Sequence, residues 1–313
     1  VSGQEAESLS RRLDFSSFST RDFLITGASG MVGGYIASAL LKCCSTLGLP
    51  SPKLTLLTRS ASSTNLRQFL GNSSVTVVET DLNSWRVDKS YDFLIHAASP
   101  ASPTQYGDAK AVFDSNVRFL ENLEKLMPES TLFISSGEVY GANPPLGVHE
   151  DFDRALIPNS LRAVYPESKI AAEQLLWKMG DEGSTKPLVA RLFHSFGPGL
   201  RDADGRSFGD FLLSAARGRD LELLSSGSAI RSFLYLEDAV AGLLTVLAKG
   251  TPGEAYNVGS ENPMAISEFA EVVGRVAEVK VRYASSSVPR ESHYVESPNQ
   301  VVVPSNTKIS QLG

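Results

Sequence analysis

At 313 residues the chain is long enough for two domains or one large α/β domain, and its 42% hydrophobic content is that of a globular protein, too high for a disordered one. Lys and Arg number 29 against 35 Asp and Glu, a net charge of −6, and no Lys/Arg-rich run occurs, which argues against a nucleic-acid-binding surface.

Residues 1–20 mix Glu, Asp, Arg and Ser with no apolar stretch of signal-peptide type, and they read as a polar tail. Regular patterning starts at Phe23. Short apolar runs predict strands at Phe23–Thr26, Leu54–Thr58, Val75–Val78, Phe93–His96, Leu132–Ser135 and Leu188–Phe193. Between them, three- and four-residue apolar spacing predicts helices at Met31–Cys44, Ala109–Met127 and Glu167–Met179. Cys43 and Cys44 are adjacent, so they imply neither a disulfide framework nor a metal site. This alternation points to a parallel sheet covered on both faces.

After Phe193 the glycines Gly197, Gly199, Gly205 and Gly209 mark a loop-rich stretch around apolar Phe208–Ala216. A helix at Leu236–Lys249 and a strand at Ala255–Val258 return to the earlier style. A helix at Ser267–Ala277, a strand at Val279–Tyr283 and the end of a helix at Lys308–Gly313 follow. The apolar run Ala239–Ala248 is well short of the roughly 20 residues that a membrane span needs. The expected division is a tail (1–20), a dinucleotide-binding domain (21–193 with about 234–260) and a smaller substrate-binding domain (194–233 with 261–313). A soluble, cytoplasmic protein is expected.

Four stretches carry chemistry. Thr26-Gly27-Ala28-Ser29-Gly30-Met31-Val32-Gly33 follows an apolar strand and opens a helix, the context of a dinucleotide fingerprint. Gly27 allows the tight turn, Gly30 the approach of a pyrophosphate and Gly33 close helix–strand packing, while Ser29, Met31 and Val32 complete the loop and first turn. The second strand ends in Thr58-Arg59-Ser60 with no acid for the ribose hydroxyls, so Arg59 points to NADP over NAD. Asp81, with Leu82 beside it, stands after the third strand where an adenine amine is reached.

Tyr165 and Lys169 share one helix face at i, i+4. A phenol is a poor base at pH 7, and bringing its pKa from about 10 to about 7 takes about 4 kcal/mol. Two neighbouring cations, Lys169 and an oxidised nicotinamide, supply stabilisation of that kind. Ser135 and Ser136 end an apparent strand, where open parallel sheets bind ligands, and Glu138 lies just beyond as a candidate proton acceptor.

With these motifs, His96-Ala97-Ala98, Ser135–Gly141 and Arg191…Gly197-Pro198, the chain resembles the extended short-chain dehydrogenase/reductase family of nucleotide-sugar epimerases, dehydratases and decarboxylases. The resemblance runs from about Asp22 to Val258. It implies an α/β fold, a Rossmann-type doubly wound parallel sheet with a smaller C-terminal α/β substrate-binding domain. Ser136, Tyr165 and Lys169 become the catalytic triad, and Ala97, Ala98 and Ser99 line a tightly held, recycled NADP or NAD. The reaction implied is transient oxidation of a nucleotide sugar at C4, giving a 4-epimer or a decarboxylated sugar. Ala98–Pro103, Asp204–Arg206 and Gly227–Phe233 resemble loops of UDP-glucuronate decarboxylases, with Arg206 and Arg231 on the substrate. Gly137 stands where 4,6-dehydratases carry an acid, and His194 where the family has a substrate-touching Asn. The resemblance also implies a homodimer through a four-helix bundle, with Ile170, Leu175, Leu176, Val112 and Leu120 as apolar candidates, and no membrane or nucleic-acid partner. An NADPH-dependent reductase of a small carbonyl and a non-catalytic dinucleotide sensor stay open as alternatives.

Overall fold

The computed structural model describes residues 1–86, 89–100, 106–123, 128–154, 163–202, 205–283 and 299–313. Its centre is a seven-stranded sheet. β1 (Asp22–Thr26), β2 (Lys53–Thr58), β3 (Val75–Glu79), β4 (Phe93–His96), β5 (Ser130–Ser136), β6 (Lys186–Leu192) and β11 (Ala255–Val258) lie in the order β11-β6-β5-β4-β1-β2-β3, every pair parallel. The order reverses between β1 and β4, and that crevice is where such sheets bind ligands. β5 is buried along its whole length, its polar Ser130, Thr131, Ser135 and Ser136 included, which fits its interior place in the sheet.

One face is covered by α2 (Met31–Thr46) and α7 (Leu236–Lys249), whose Ile36, Leu40, Leu243 and Leu244 join Ile25 and Leu56 in one core. The other is covered by α5 (Val164–Asp181) and by a helix in three parts: α3 (Ala109–Phe113), a π-helical turn at Asp114–Arg118, and α4 (Phe119–Leu123). The predicted helix at 109–127 is therefore interrupted, and its last four positions lie outside the described residues.

The polar tail is a misreading. Residues Gly3–Arg12 form α1, capped by Ser2, whose side chain accepts from Glu5 N while the Glu5 carboxylate accepts from Ser2 N. Ala6, Leu9 and Leu13 recur at helical spacing and pack on α2 with Phe15 and Phe18. Cys43 and Cys44 are free and buried under this cover.

Past β6 lies a separate apolar cluster. α6 (Ser207–Ala216), β8 (Leu221–Leu223), α8 (Ile266–Ala277) and β13 (Val281–Tyr283) contribute Phe208, Phe211, Leu221 and Phe269. Beside it β12 (Pro263–Ala265), β9 (Ile230–Ser232) and β14 (Val301–Val302) form a three-stranded sheet, and β7 (Ser195–Phe196) pairs with β10 (Leu234–Tyr235). Of the apolar residues expected at a dimer face, Leu176, Val112 and Leu120 are fully buried inside the chain, so they serve the core. Ile170 and Leu175 are half-buried. Among the described residues, no helix is long and apolar enough to cross a membrane.

Candidate active site

The glycine loop is built by close approach. Gly27 has φ +70°, and a Cβ there would meet Ala98 N at 2.7 Å and Ala97 O at 2.8 Å. Gly33 faces Gly27 O as closely, 2.7 Å from an added Cβ. Thr26 Oγ1 accepts from Ala98 N at 3.1 Å and bonds His96 Nδ1 at 2.7 Å, fastening the loop to the end of β4. Gly30 caps α2 without a side-chain bond, so the first-turn N–H groups stay available to an anion. Among the described residues, the Ser99 hydroxyl is buried with no hydrogen-bond partner. A glycine cradle, open amides and that orphan hydroxyl fit a dinucleotide's pyrophosphate and ribose.

Two residues here escape sequence reasoning. Asn65 Nδ2 donates to Ser29 O at 3.0 Å and Gly199 O at 3.3 Å, and Arg201 Nη2 donates to Ser29 O at 2.8 Å and Ser29 Oγ at 3.0 Å. At the far end Arg59 is exposed beyond β2, and Glu79, opposite Thr58 in register, accepts from Ala61 N at 2.7 Å. Asp81 Oδ1 accepts from Asn83 N at 2.9 Å, shaping its turn, and Leu82 packs half-buried on the sheet.

Ser136 ends β5, and its Oγ accepts from Glu138 N at 3.2 Å. Tyr165, at the start of α5, stands beside the Ser136 hydroxyl, and its ring stacks on Tyr106 with centroids 5.3 Å apart. Lys169, one turn on, donates to Ile134 O at 2.7 Å and sits 4.6 Å from the Phe133 ring centroid. The triad and Glu138 therefore meet at the carboxyl end of β5. Burial pushes the Tyr165 phenol up and the Glu138 charge adds to this, while the Ser136 hydroxyl and the Arg206 charge pull it down. Burial lowers the Lys169 amine to about 7, and the Glu173 charge opposes the fall.

Arg206 lays its guanidinium 4.8 Å from the centroid of the Phe208 ring. His194 stands edge-on to Phe208 and Phe233. Arg231 is buried in β9, donating to the carbonyls of Ile230 (2.8 Å), Asn299 (3.0 Å) and Gln300 (3.4 Å), bonds that hold the approach to β14. Asp204 and positions 101–103 lie outside the described residues. Gly137 is tight: a Cβ would lie 2.7 Å from Phe193 Cε1 and 2.8 Å from Cδ1. Sequence reasoning also missed Asn116, whose Nδ2 donates from the π turn to Val112 O (3.1 Å) and Ser168 Oγ (2.9 Å), and Glu173.

Residues 23–259 match the model of the NAD dependent epimerase/dehydratase family, and the chain belongs to that family. A curated relative is UDP-glucuronic acid decarboxylase 1 of Danio rerio, 28% identical over 259 residues that cover 80% of this chain and 59% of the relative. The chain thus spans a little under two thirds of that relative's length. Among solved structures, UDP-N-acetylglucosamine 4-epimerase from Methanobrevibacter ruminantium M1, in complex with UDP-N-acetylmuramic acid, superposes with a TM-score of 0.78 at 19% identity, over 94% of this chain and 92% of that one. UDP-glucuronic acid 4-epimerase from Bacillus cereus, in complex with UDP-glucuronic acid and NAD, gives a TM-score of 0.75 at 21% identity, over 93% and 92%. These two establish the fold.

Proposed function

We propose that the chain oxidises a nucleotide sugar at C4 and releases a decarboxylated sugar, with UDP-glucuronate as substrate. The observation that carries this reading is the convergence of Ser136, Tyr165 and Lys169 at the carboxyl end of β5, on the sheet edge that also carries the glycine loop. A dinucleotide held by Gly27, Gly30 and Gly33 would supply hydride acceptance at C4 and hydride return in the same turnover. Ser136 holds the C4 oxygen. Tyr165 takes the hydroxyl proton, and the nearby Lys169 cation favours the phenolate it becomes. A 4-keto group makes the C5 carboxylate a β-keto acid, so carbon dioxide leaves to form an enolate, which takes a proton at C5 from water before the 4-keto group is reduced again. Glu138, half-buried beside Tyr165, is the nearby proton acceptor.

The curated relatives named as UDP-glucuronic acid decarboxylases favour decarboxylation over 4-epimerisation, which uses the same triad. Gly137 disfavours dehydration, because Phe193 fills the place of an acidic side chain. For the dinucleotide, the exposed Arg59 and the lack of an acid at the end of β2 favour NADP. A homodimer through α5 is part of the reading, supported by half-buried Ile170 and Leu175 and exposed Phe113.

The test is mass spectrometry of UDP-glucuronate after incubation with the protein, with NADP and NAD added in separate reactions and Tyr165→Phe as control. Loss of carbon dioxide that the variant abolishes is the expected result. An unchanged mass with a new retention time would establish the epimerase. Stoichiometric consumption of reduced cofactor by small carbonyls, or no turnover at all, would overturn the reading.

A further inference from the structure

Behind Tyr165 and Lys169 lies a charge cluster that the reaction above does not use. Tyr165, Lys169 and Glu173 follow one another at four-residue spacing along α5, all buried. Glu173 Oε1 accepts from Ser135 Oγ at 2.5 Å and Arg191 Nε at 3.2 Å, and Oε2 accepts from Arg191 Nη2 at 3.0 Å and from Arg154. Ser135, Arg191 and Asn257 stand opposite one another in register across β5, β6 and β11. Arg191 Nη1 donates to Tyr140 Oη at 3.0 Å, and Tyr140 donates to Asn257 Oδ1 at 2.6 Å, closing the row.

Two features tie this row to the reacting pair. Ser135 immediately precedes Ser136, so the strand end that presents a hydroxyl to Tyr165 is fastened from behind to α5. Lys169 is enclosed by Ile134 O and the rings of Phe133 and Tyr165, with Glu173 one turn along the same helix. The titratable groups facing Lys169 are Tyr165 and Glu173 from α5 and His96 from β4; those facing Glu173 are Arg191 from β6 and Arg154 from the segment before α5.

We propose that Glu173 is a positioning residue, which keeps Lys169 protonated beside Tyr165 and fixes the strand end carrying Ser136. What the pair does rests on the reading above; the first test of Glu173 does not.

That test is competitive acetylation of Lys169 across pH in the full chain without substrate, read by mass spectrometry of its peptide. Glu173→Gln is expected to move the midpoint of reactivity at least about one pH unit lower, about tenfold more free amine below the wild-type midpoint. A role in packing alone predicts the opposite, because loosening hydrates the amine and moves its midpoint up towards that of an ordinary lysine. An unmoved or raised midpoint in a folded variant overturns the proposal. Should E173Q fail to fold, the double variant Glu173→Met/Arg191→Met removes the carboxylate together with its paired cation at similar volume; a smaller fall of the midpoint is then expected, and an unmoved or raised one overturns the proposal. On turnover, Ser135→Ala is expected to lower kcat about tenfold with KM unchanged, and Ser135→Thr to restore it. An unchanged kcat in S135A would overturn the part concerning Ser136. If UDP-glucuronate is not turned over while the acetylation midpoint falls, the proposed reaction fails and Glu173 keeps its role.

Discussion

At position 137, a glycine, a single added methyl group would meet an aromatic ring. Phe193 is only 5% exposed, so its ring cannot swing into solvent without leaving the cluster of Val139, Tyr140 and Val148. Gly137→Ala is therefore expected to lower stability by about 1–3 kcal/mol, measured by urea denaturation, and Gly137→Asp by more. The residues readable from sequence at this scale are those whose chemistry is local. The glycines of the loop, Ser136 and the Tyr165–Lys169 pair announce themselves by spacing within a few positions, and the structure sets them along one edge of the sheet. Arg201 does not, because its partner Ser29 is 172 positions away and nothing near either residue signals the contact. Arg231 illustrates the same limit: its carbonyl partners at Asn299 and Gln300 exist only once β14 is laid beside β9.

Among the elements, α1 was hidden by its composition. Polar residues surround each buried position, and only the spacing of Ala6, Leu9 and Leu13 betrays a helix with a face to bury. Its Arg12 pairs with Asp238 at 2.7 Å on α7, and Tyr235 donates to Glu5 at 3.1 Å. Those exposed contacts add little, and the apolar face does the anchoring. Leu9 is fully buried, so Leu9→Ala is expected to cost about 2–5 kcal/mol by thermal or urea unfolding. The seven strands of the central sheet were readable to within about two residues, because apolar runs in a doubly covered sheet leave few alternatives, whereas the short strands β7–β10, β12 and β14 carry no such run. The π turn at Asp114–Arg118 was not, since its extra residue shifts helical spacing by one without changing residue type.

Over the whole molecule, buried titratable groups set how stability depends on pH. Burial chiefly, with the Lys169 charge, lowers His96 from 6.5 to about 3. Between those values the unfolded chain binds a proton that folded His96 refuses, so stability falls as pH falls. Glu173 acts in the same sense. Burial would raise its carboxyl, but the Arg191 charge and hydrogen bonds, with Arg154 and Ser135, hold it low. Its stabilisation is present above the ordinary Glu range and is lost in acid. Urea midpoints at pH 4.5, 5.5 and 6.5 are expected to rise with pH, His96 alone contributing up to about 1.4 kcal/mol per unit. His96→Phe should flatten that slope.

The strand order has a consequence for synthesis. β6 lies between β5 and β11, yet the 62 residues from 193 to 254 separate its end from the start of β11. While those residues emerge from a ribosome, β6 is a bare edge with an apolar sequence, Pro187-Leu188-Val189-Ala190, ready to pair with another nascent chain. Its last neighbour is a strand of only four residues. Completion of the sheet thus waits until that interval has been synthesised, and premature termination within it would release a chain with its central sheet open on one side.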